Sequence, residues 1–189
     1  MKTKDSVWDC RPCLVIALLL VLGMSFLLDS MIHSFFSAVK YHYLDIFFSW
    51  FSSMITIILV LLVLSSLFMY EERKTRYILP MWVSFALAMF SSYVLKFLIQ
   101  RPRPFPMYHF GFPDFAFPSA HAAMCFAVLP FLEKEFPKIR IFWIVFVSIV
   151  LLSRLYLGVH WFSDIVGGSV LGYLFGHFII VSMKKGWRI

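Results

Sequence analysis

Ser153-Arg154-Leu155-Tyr156-Leu157-Gly158-Val159-His160-Trp161-Phe162-Ser163-Asp164 places an arginine, a histidine and an aspartate between two long apolar runs. Ionisable groups at membrane depth are expensive, and they face a cavity or a partner. His160 and Asp164 are four residues apart, which puts them on one face of a helix, close enough for the carboxylate to orient the imidazole. Two further clusters share this character: Lys96-Phe97-Leu98-Ile99-Gln100-Arg101-Pro102-Arg103-Pro104 and Pro118-Ser119-Ala120-His121. The expectation is a fold that brings all three to one membrane surface.

Working outward, 61% of the 189 residues are hydrophobic and 14% charged, too little polar surface for a soluble domain. The chain reads as an all-α integral membrane protein, a single domain over residues 1–189. Six runs approach the ~20 residues that a bilayer crossing needs: residues 12–28, 46–70, 77–95, 115–132, 141–159 (interrupted by Arg154) and 165–183. No small-x-small cleavage site follows the first run, which therefore reads as an uncleaved span. Residues 29–45, rich in Phe, Tyr and His, read as an outward connection: either an amphipathic interfacial element or a loop packed on the helices.

The net charge of +7 invites a nucleic-acid reading, but the placement of the basic residues argues against it. Twelve of the 17 basic residues fall before the first span, after the second, after the fourth and after the sixth; Lys40, Lys96, Arg101, Arg103 and Arg154 fall on the other side. The positive-inside rule then puts both termini in the cytoplasm and makes this a six-span protein of the cell membrane. All three clusters come to the extracytoplasmic ends of spans. Gly168, Gly172 and Gly176 form a small-xxx-small stripe for close helix contact. Cys10 and Cys13 form a lone CxxC, weak as a zinc or redox signal, and Cys125 reads as packing.

Lys96, Arg103 and Arg154 supply three cations with little nearby carboxylate. Arginine forks match phosphate oxygens in bidentate geometry, and lysine adds a point charge. Pro102 and Pro104 stop a helix from continuing, so Arg103 can turn back. Pro118-Ser119 suits a helix start, whose free amides favour an anion. The histidines divide the labour: His160, oriented by Asp164, attacks phosphorus, and His121 protonates the leaving oxygen. The outer carboxylates Asp29, Asp45, Asp114 and Asp164 are scattered rather than clustered as a metal site would want, so neither metal nor cofactor is called for.

The pattern Lys96-x6-Arg103-Pro104, Pro118-Ser119-Ala120-His121 and Ser153-Arg154-x5-His160-x3-Asp164 resembles the three-part signature of the type-2 phosphatidic acid phosphatase family. Its superfamily also includes bacterial acid phosphatases and vanadium haloperoxidases. The resemblance implies that His160 becomes phosphorylated, Asp164 orients it and His121 is the general acid. It also implies Lys96, Arg103, Ser119, the Ala120 amide and Arg154 as phosphate ligands, with metal-independent hydrolysis. The family usually has glycine where this chain has Ala120, and alanine keeps the amide if its φ is negative.

Outside the motifs the bland readings are preferred. His177 is a packed polar residue, while His33, His42 and His109 belong to loops or the interface. Arg101 is left for lipid headgroups and Asp114 for a turn or helix cap. The expected partner is a lipid phosphate within the membrane. Undecaprenyl pyrophosphate is favoured, with phosphatidylglycerophosphate, phosphatidic acid or lipid A as alternatives. An anion carrier of the same fold is the non-enzymatic competitor, but the cytoplasmic loops show no second buried cluster for access from both sides.

Overall fold

A chain this apolar must satisfy its backbone polar groups internally, and a helix does so within one segment. The computed structural model describes residues 11–70, 72–105, 108–109 and 112–184. Seven α-helices run in order: α1 Arg11–Ala38, α2 His42–Phe51, α3 Met54–Tyr70, α4 Ile78–Ile99, α5 Ala120–Glu135, α6 Pro137–Tyr156 and α7 Phe162–Lys184. A 3-10 turn, Glu72–Tyr77, leads into α4. Between α4 and α5 lies a two-stranded antiparallel hairpin, β1 Tyr108–His109 with β2 Phe112–Pro113, pairing Tyr108 with Pro113. Cys10 and the Cys13 side chain fall outside the described residues, as does the His109 side chain.

Among the described residues four helices are long and apolar enough to cross a membrane, in α1, α4, α6 and α7, and a fifth candidate is the pair α2–α3. Several boundaries differ from the sequence expectation. α1 continues ten residues past Leu28, because Asp29 is sheltered by partners and does not end the helix. The expected second span is two helices, bent by 48° at Ser52–Ser53. There Ser52 Oγ turns back to the Phe48 carbonyl (2.7 Å) and Ser53 Oγ accepts the Thr56 N–H (3.1 Å), local bonds that compete with a continuous ladder.

The expected fourth span shrinks to α5, whose 16 residues cover about 24 Å at 1.5 Å each. Pro118 keeps the preceding segment extended. α5 is largely buried, packed against α4, α6 and α7, so lipid thickness does not set its length. Against α7 the contact is closest: a Cβ at Gly168, Gly172 or Gly176 would overlap the carbonyls of Ser119, Ala123 and Ala127 respectively. Small residues at four-residue spacing on both helices let the backbones meet. On its other side Trp143 Nε1 donates to the Cys125 carbonyl (3.0 Å) and Ser84 Oγ to the Ala127 carbonyl (3.2 Å). α5 is thus pinned from three directions, and its N-terminus is a fixed point.

Candidate functional site

Around that fixed N-terminus four helix ends meet. α4 stops where Gln100 adopts a left-handed conformation (φ 52°), and Pro102 and Pro104 prevent its resumption. From its last turn the Lys96 ammonium donates to the carbonyls of Phe115 and, at 3.1 Å, Ala116. Lys96 therefore fastens α4 to the strand of chain entering α5. Ser119 caps α5 from an extended conformation (φ −72°, ψ 116°), and its N–H donates to the Asp164 carbonyl of α7 (2.9 Å). The first helical bond of α5 is Ala123 N–H to the Ser119 carbonyl (3.0 Å), so the amides of Ala120, His121 and Ala122 have no acceptor within the helix. Ala120 is not among the positive-φ residues, so alanine stands there without backbone strain.

α6 carries Arg154 in its last turn, and Gly158 at φ 72° turns the chain back towards α7. His160 sits on this turn, 3% exposed, with Nδ1 3.4 Å from Asp164 Oδ2. The pairing expected from the i,i+4 spacing is present, but not on one helix face: α7 begins at Phe162, and His160 precedes it. Asp164, fully buried, also accepts the Trp161 N–H (2.7 Å), satisfying a helix-start amide while it faces the imidazole. Burial, and then the charges of Arg103, Lys96 and Arg154 with His121 beside them, hold the His160 pKa well below its ordinary value. The ring is neutral, with an unprotonated nitrogen available.

Those same neighbours show that the motif side chains converge. Lys96, Arg103, Arg154 and His121 all act on His160 electrostatically, and Arg154, Arg103 and Lys96 act on His121. The His121 ring reaches the backbone of Ser52 at the α2–α3 bend, and Arg154 Nη1 lies 3.4 Å from Ser52 Oγ. The expectation of cations with little nearby carboxylate is corrected at Arg103: Nη2 pairs with Asp114 Oδ2 (2.7 Å) while Nη1 donates to the Val159 carbonyl (2.6 Å). Asp114 is thus an arginine partner, not merely a turn residue. Among the described residues four buried donors remain without a partner: Arg103 Nε, Arg154 Nε and the Ser119 hydroxyl lie in this cluster, and Arg140 Nε lies at the opposite end of α6. Leaving a buried donor unmade costs about 1–3 kcal/mol, and an oxyanion among them would supply the missing acceptors.

Sequence reasoning missed a second set. Arg101 Nη1 donates to Asp164 Oδ1 and to Ser163 Oγ, and Nη2 donates to Asp29 Oδ2, all at 2.6 Å. Asp29 in turn accepts the Ser163 N–H (2.8 Å) and hydroxyl (2.6 Å). Arg101 therefore does not face lipid headgroups; its guanidinium lies over Phe26, 4.8 Å from the ring centroid. The available signal was Asp29 itself, an acid within an apolar helical run. His177 stacks on Tyr173 and His33 meets Trp161 edge-on, neither joining the cluster. Among the described residues no three His, Cys, Asp or Glu side chains form a group that could hold a metal ion.

A sequence model described as the PAP2 superfamily matches residues 77–188, which contain every motif residue above. Phosphatidylglycerophosphatase B of Bacillus subtilis (strain 168) is 37% identical over 130 residues, 62% of this chain and 63% of the relative. Inositol phosphorylceramide synthase of Candida albicans is 38% identical over 56 residues, 30% of this chain but 12% of that protein. The matches thus span less than two thirds of either relative. In three dimensions the chain is similar to a transmembrane PAP2 type phosphatidylglycerolphosphate phosphatase from Bacillus subtilis, with a TM-score of 0.70 and 23% identity over 92% of this chain and 98% of that one. LpxE of Aquifex aeolicus gives 0.65 and 23%, covering 82% and 95%.

Proposed function

Because the chain belongs to the PAP2 superfamily, we propose that it is a membrane phosphatase that hydrolyses a lipid phosphate or pyrophosphate through a phosphohistidine. The observation that carries this reading is the grouping of orphaned donors on Arg103, Ser119 and Arg154 around a neutral, carboxylate-tethered His160. Phosphate oxygens answer the donors, and the phosphorus then lies against the imidazole.

In the first step Nε2 of His160 attacks phosphorus as Nδ1 leans on Asp164. The bond from phosphorus to the lipid oxygen breaks, and His121 gives that oxygen its proton. In the second, His121 takes a proton from water, whose oxygen attacks phosphorus; the P–N bond breaks, releasing phosphate and restoring His160. Lys96, Arg103, Arg154, the Ser119 hydroxyl and the Ala120 amide stabilise the charge that spreads over the transferring group. No step calls on a metal or a cofactor.

The topology that fits this role counts α1, the bent α2–α3 pair, α4, α5, α6 and α7 as six crossings, with both termini in the cytoplasm and the site facing outwards. Support comes from Arg76, Lys134, Lys138 and Arg140, which flank the helix ends opposite the cluster, as the positive-inside rule requires. The acyl or prenyl tail then stays in the outer leaflet of the cell membrane while the headgroup enters the pocket. The 37%-identical relative is named a phosphatidylglycerophosphatase, which makes phosphatidylglycerophosphate the first substrate to assay. Undecaprenyl pyrophosphate follows, then phosphatidic acid and lipid A.

Purified protein assayed against this panel, with vanadate and with a chelator, tests the proposal. Hydrolysis blocked by vanadate, indifferent to chelator and abolished in His160→Ala is the expected result. Equal rates for wild type and His160→Ala would remove the nucleophile, and release by neither would leave the anion-carrier reading.

A further inference from the structure

Asp164 has two carboxylate oxygens with separate duties. Oδ2 faces His160 Nδ1 and accepts the Trp161 N–H; Oδ1 is held by Arg101. Arg101 is itself fixed by Asp29 on α1, and Ser163 links these two, donating its N–H and hydroxyl to Asp29 and accepting from Arg101. The four side chains come from α1, the segment after α4, and the first turn of α7, so nothing local in the sequence holds them together. All are shielded from solvent: side-chain exposure is 19% for Arg101, 6% for Asp29 and 0% for Asp164. Phe26 and Trp161 cover the guanidinium, 4.8 and 5.6 Å from the ring centroids.

We propose that Arg101 and Asp29 are positioning residues, a clamp that aims the Asp164 carboxylate at His160. The claim rests on the phosphohistidine reading above, since Asp164 matters to the reaction only through that imidazole. Arg101 has no free fork for a phosphate: both terminal nitrogens are committed to carboxylates, and Nη1 to the Ser163 hydroxyl as well. This separates it from Arg103 and Arg154, each with an unpartnered Nε. The planar fork also matters. It spans two carboxylates at once, whereas a lysine at this position brings one ammonium on a flexible stem. Without the clamp Asp164 can rotate, and the imidazole loses the anion that steadies its positive charge during attack.

The effect falls on kcat rather than on binding. Arg101→Lys, Arg101→Ala and Asp29→Asn are compared with wild type for kcat, KM and the binding of orthovanadate, a phosphate-shaped probe of the pocket. The expectation is a fall in kcat of about 10- to 100-fold, typical when an outer partner of a catalytic group is removed, with vanadate affinity and KM within about threefold.

Arg101→Lys keeps the charge and is the variant to rely on if Arg101→Ala does not fold. A folded Arg101→Lys enzyme with wild-type kcat overturns the clamp. A loss of vanadate affinity matching the loss of kcat/KM also overturns it, by making Arg101 a phosphate ligand. If wild-type protein releases no phosphate from any lipid, the phosphatase reading fails instead. If wild type is active, His160→Ala is dead and Arg101→Lys is normal, the clamp alone is wrong.

Discussion

On one side of His160, Arg101, Asp29, Ser163 and Asp164 exchange hydrogen bonds until each charged oxygen and terminal nitrogen has a partner. On the other, Arg103, Ser119 and Arg154 each keep one buried polar atom with none. Both flanks are buried and both are rich in charge, so neither burial nor charge separates scaffold from the proposed binding site. What separates them is satisfaction. A completed network has nothing left to offer a ligand, whereas an incomplete one is strained in the free protein and gains from an anion.

The contrast breaks first at Asp29. Asp29→Ala removes two acceptors from the completed side and leaves the Arg101 guanidinium short of a carboxylate. Stripping one partner from a buried ion pair destabilises by about 3–5 kcal/mol, readable as a shift in reversible unfolding in detergent. On the incomplete side the reverse is expected. Arg154→Met deletes a buried cation and an orphaned donor, so stability is held or improved. Activity falls by about 10²–10³-fold, the usual loss when a transition-state donor is removed. If Arg154→Met were the less stable of the two variants, satisfaction would not be the dividing principle.

Ser119→Ala sharpens the contrast with a smaller effect. The hydroxyl has no partner in the free protein, so its loss leaves melting unchanged. In the complex it would make one bond to the anion, worth about 1.5–3 kcal/mol to a charged group, and kcat/KM falls by roughly 10- to 100-fold. An equal loss in melting temperature would show that the hydroxyl supports the helix start instead.

The incomplete flank was legible in the sequence, whereas of the completed one only Asp164 was, for a physical reason. Lys96, Arg103, Ser119, His121, Arg154 and His160 sit at helix ends, and helix ends follow from apolar run lengths and proline positions. Charge bias then assigns those ends to one face. Arg101 and Asp29 meet across 72 residues, a contact that no spacing rule encodes. A charge such as Asp29 marks the end of an apolar run, yet a helix backbone continues through a charge whose partner is supplied by the fold. The break at Ser52–Ser53 also escaped, since neither Gly nor Pro marks it. Even the correct pair, His160 with Asp164, was expected on one helix face and is made across a turn.

The smallest expected effect uses His160 alone, the residue between the flanks. Its folded pKa lies well below the ordinary value of 6.5, so the folded protein resists the proton that the unfolded chain accepts. Below about pH 6.5 the unfolded state binds more protons, and stability therefore rises with pH and falls on acidification. One such group can contribute at most about 1.4 kcal/mol per pH unit, a limit approached only well below pH 6.5. Unfolding in detergent between pH 6.5 and 5.5 should show stability falling on acidification in wild type, with a shallower slope in His160→Gln. Bound vanadate should steepen the loss of free-state resistance in neither protein: an anion beside the imidazole favours its protonated form, so the wild-type slope becomes shallower with vanadate present. A slope that His160→Gln leaves unchanged would mean that neither burial nor the cations of the incomplete flank depress the pKa of this ring, and the two flanks would not share it.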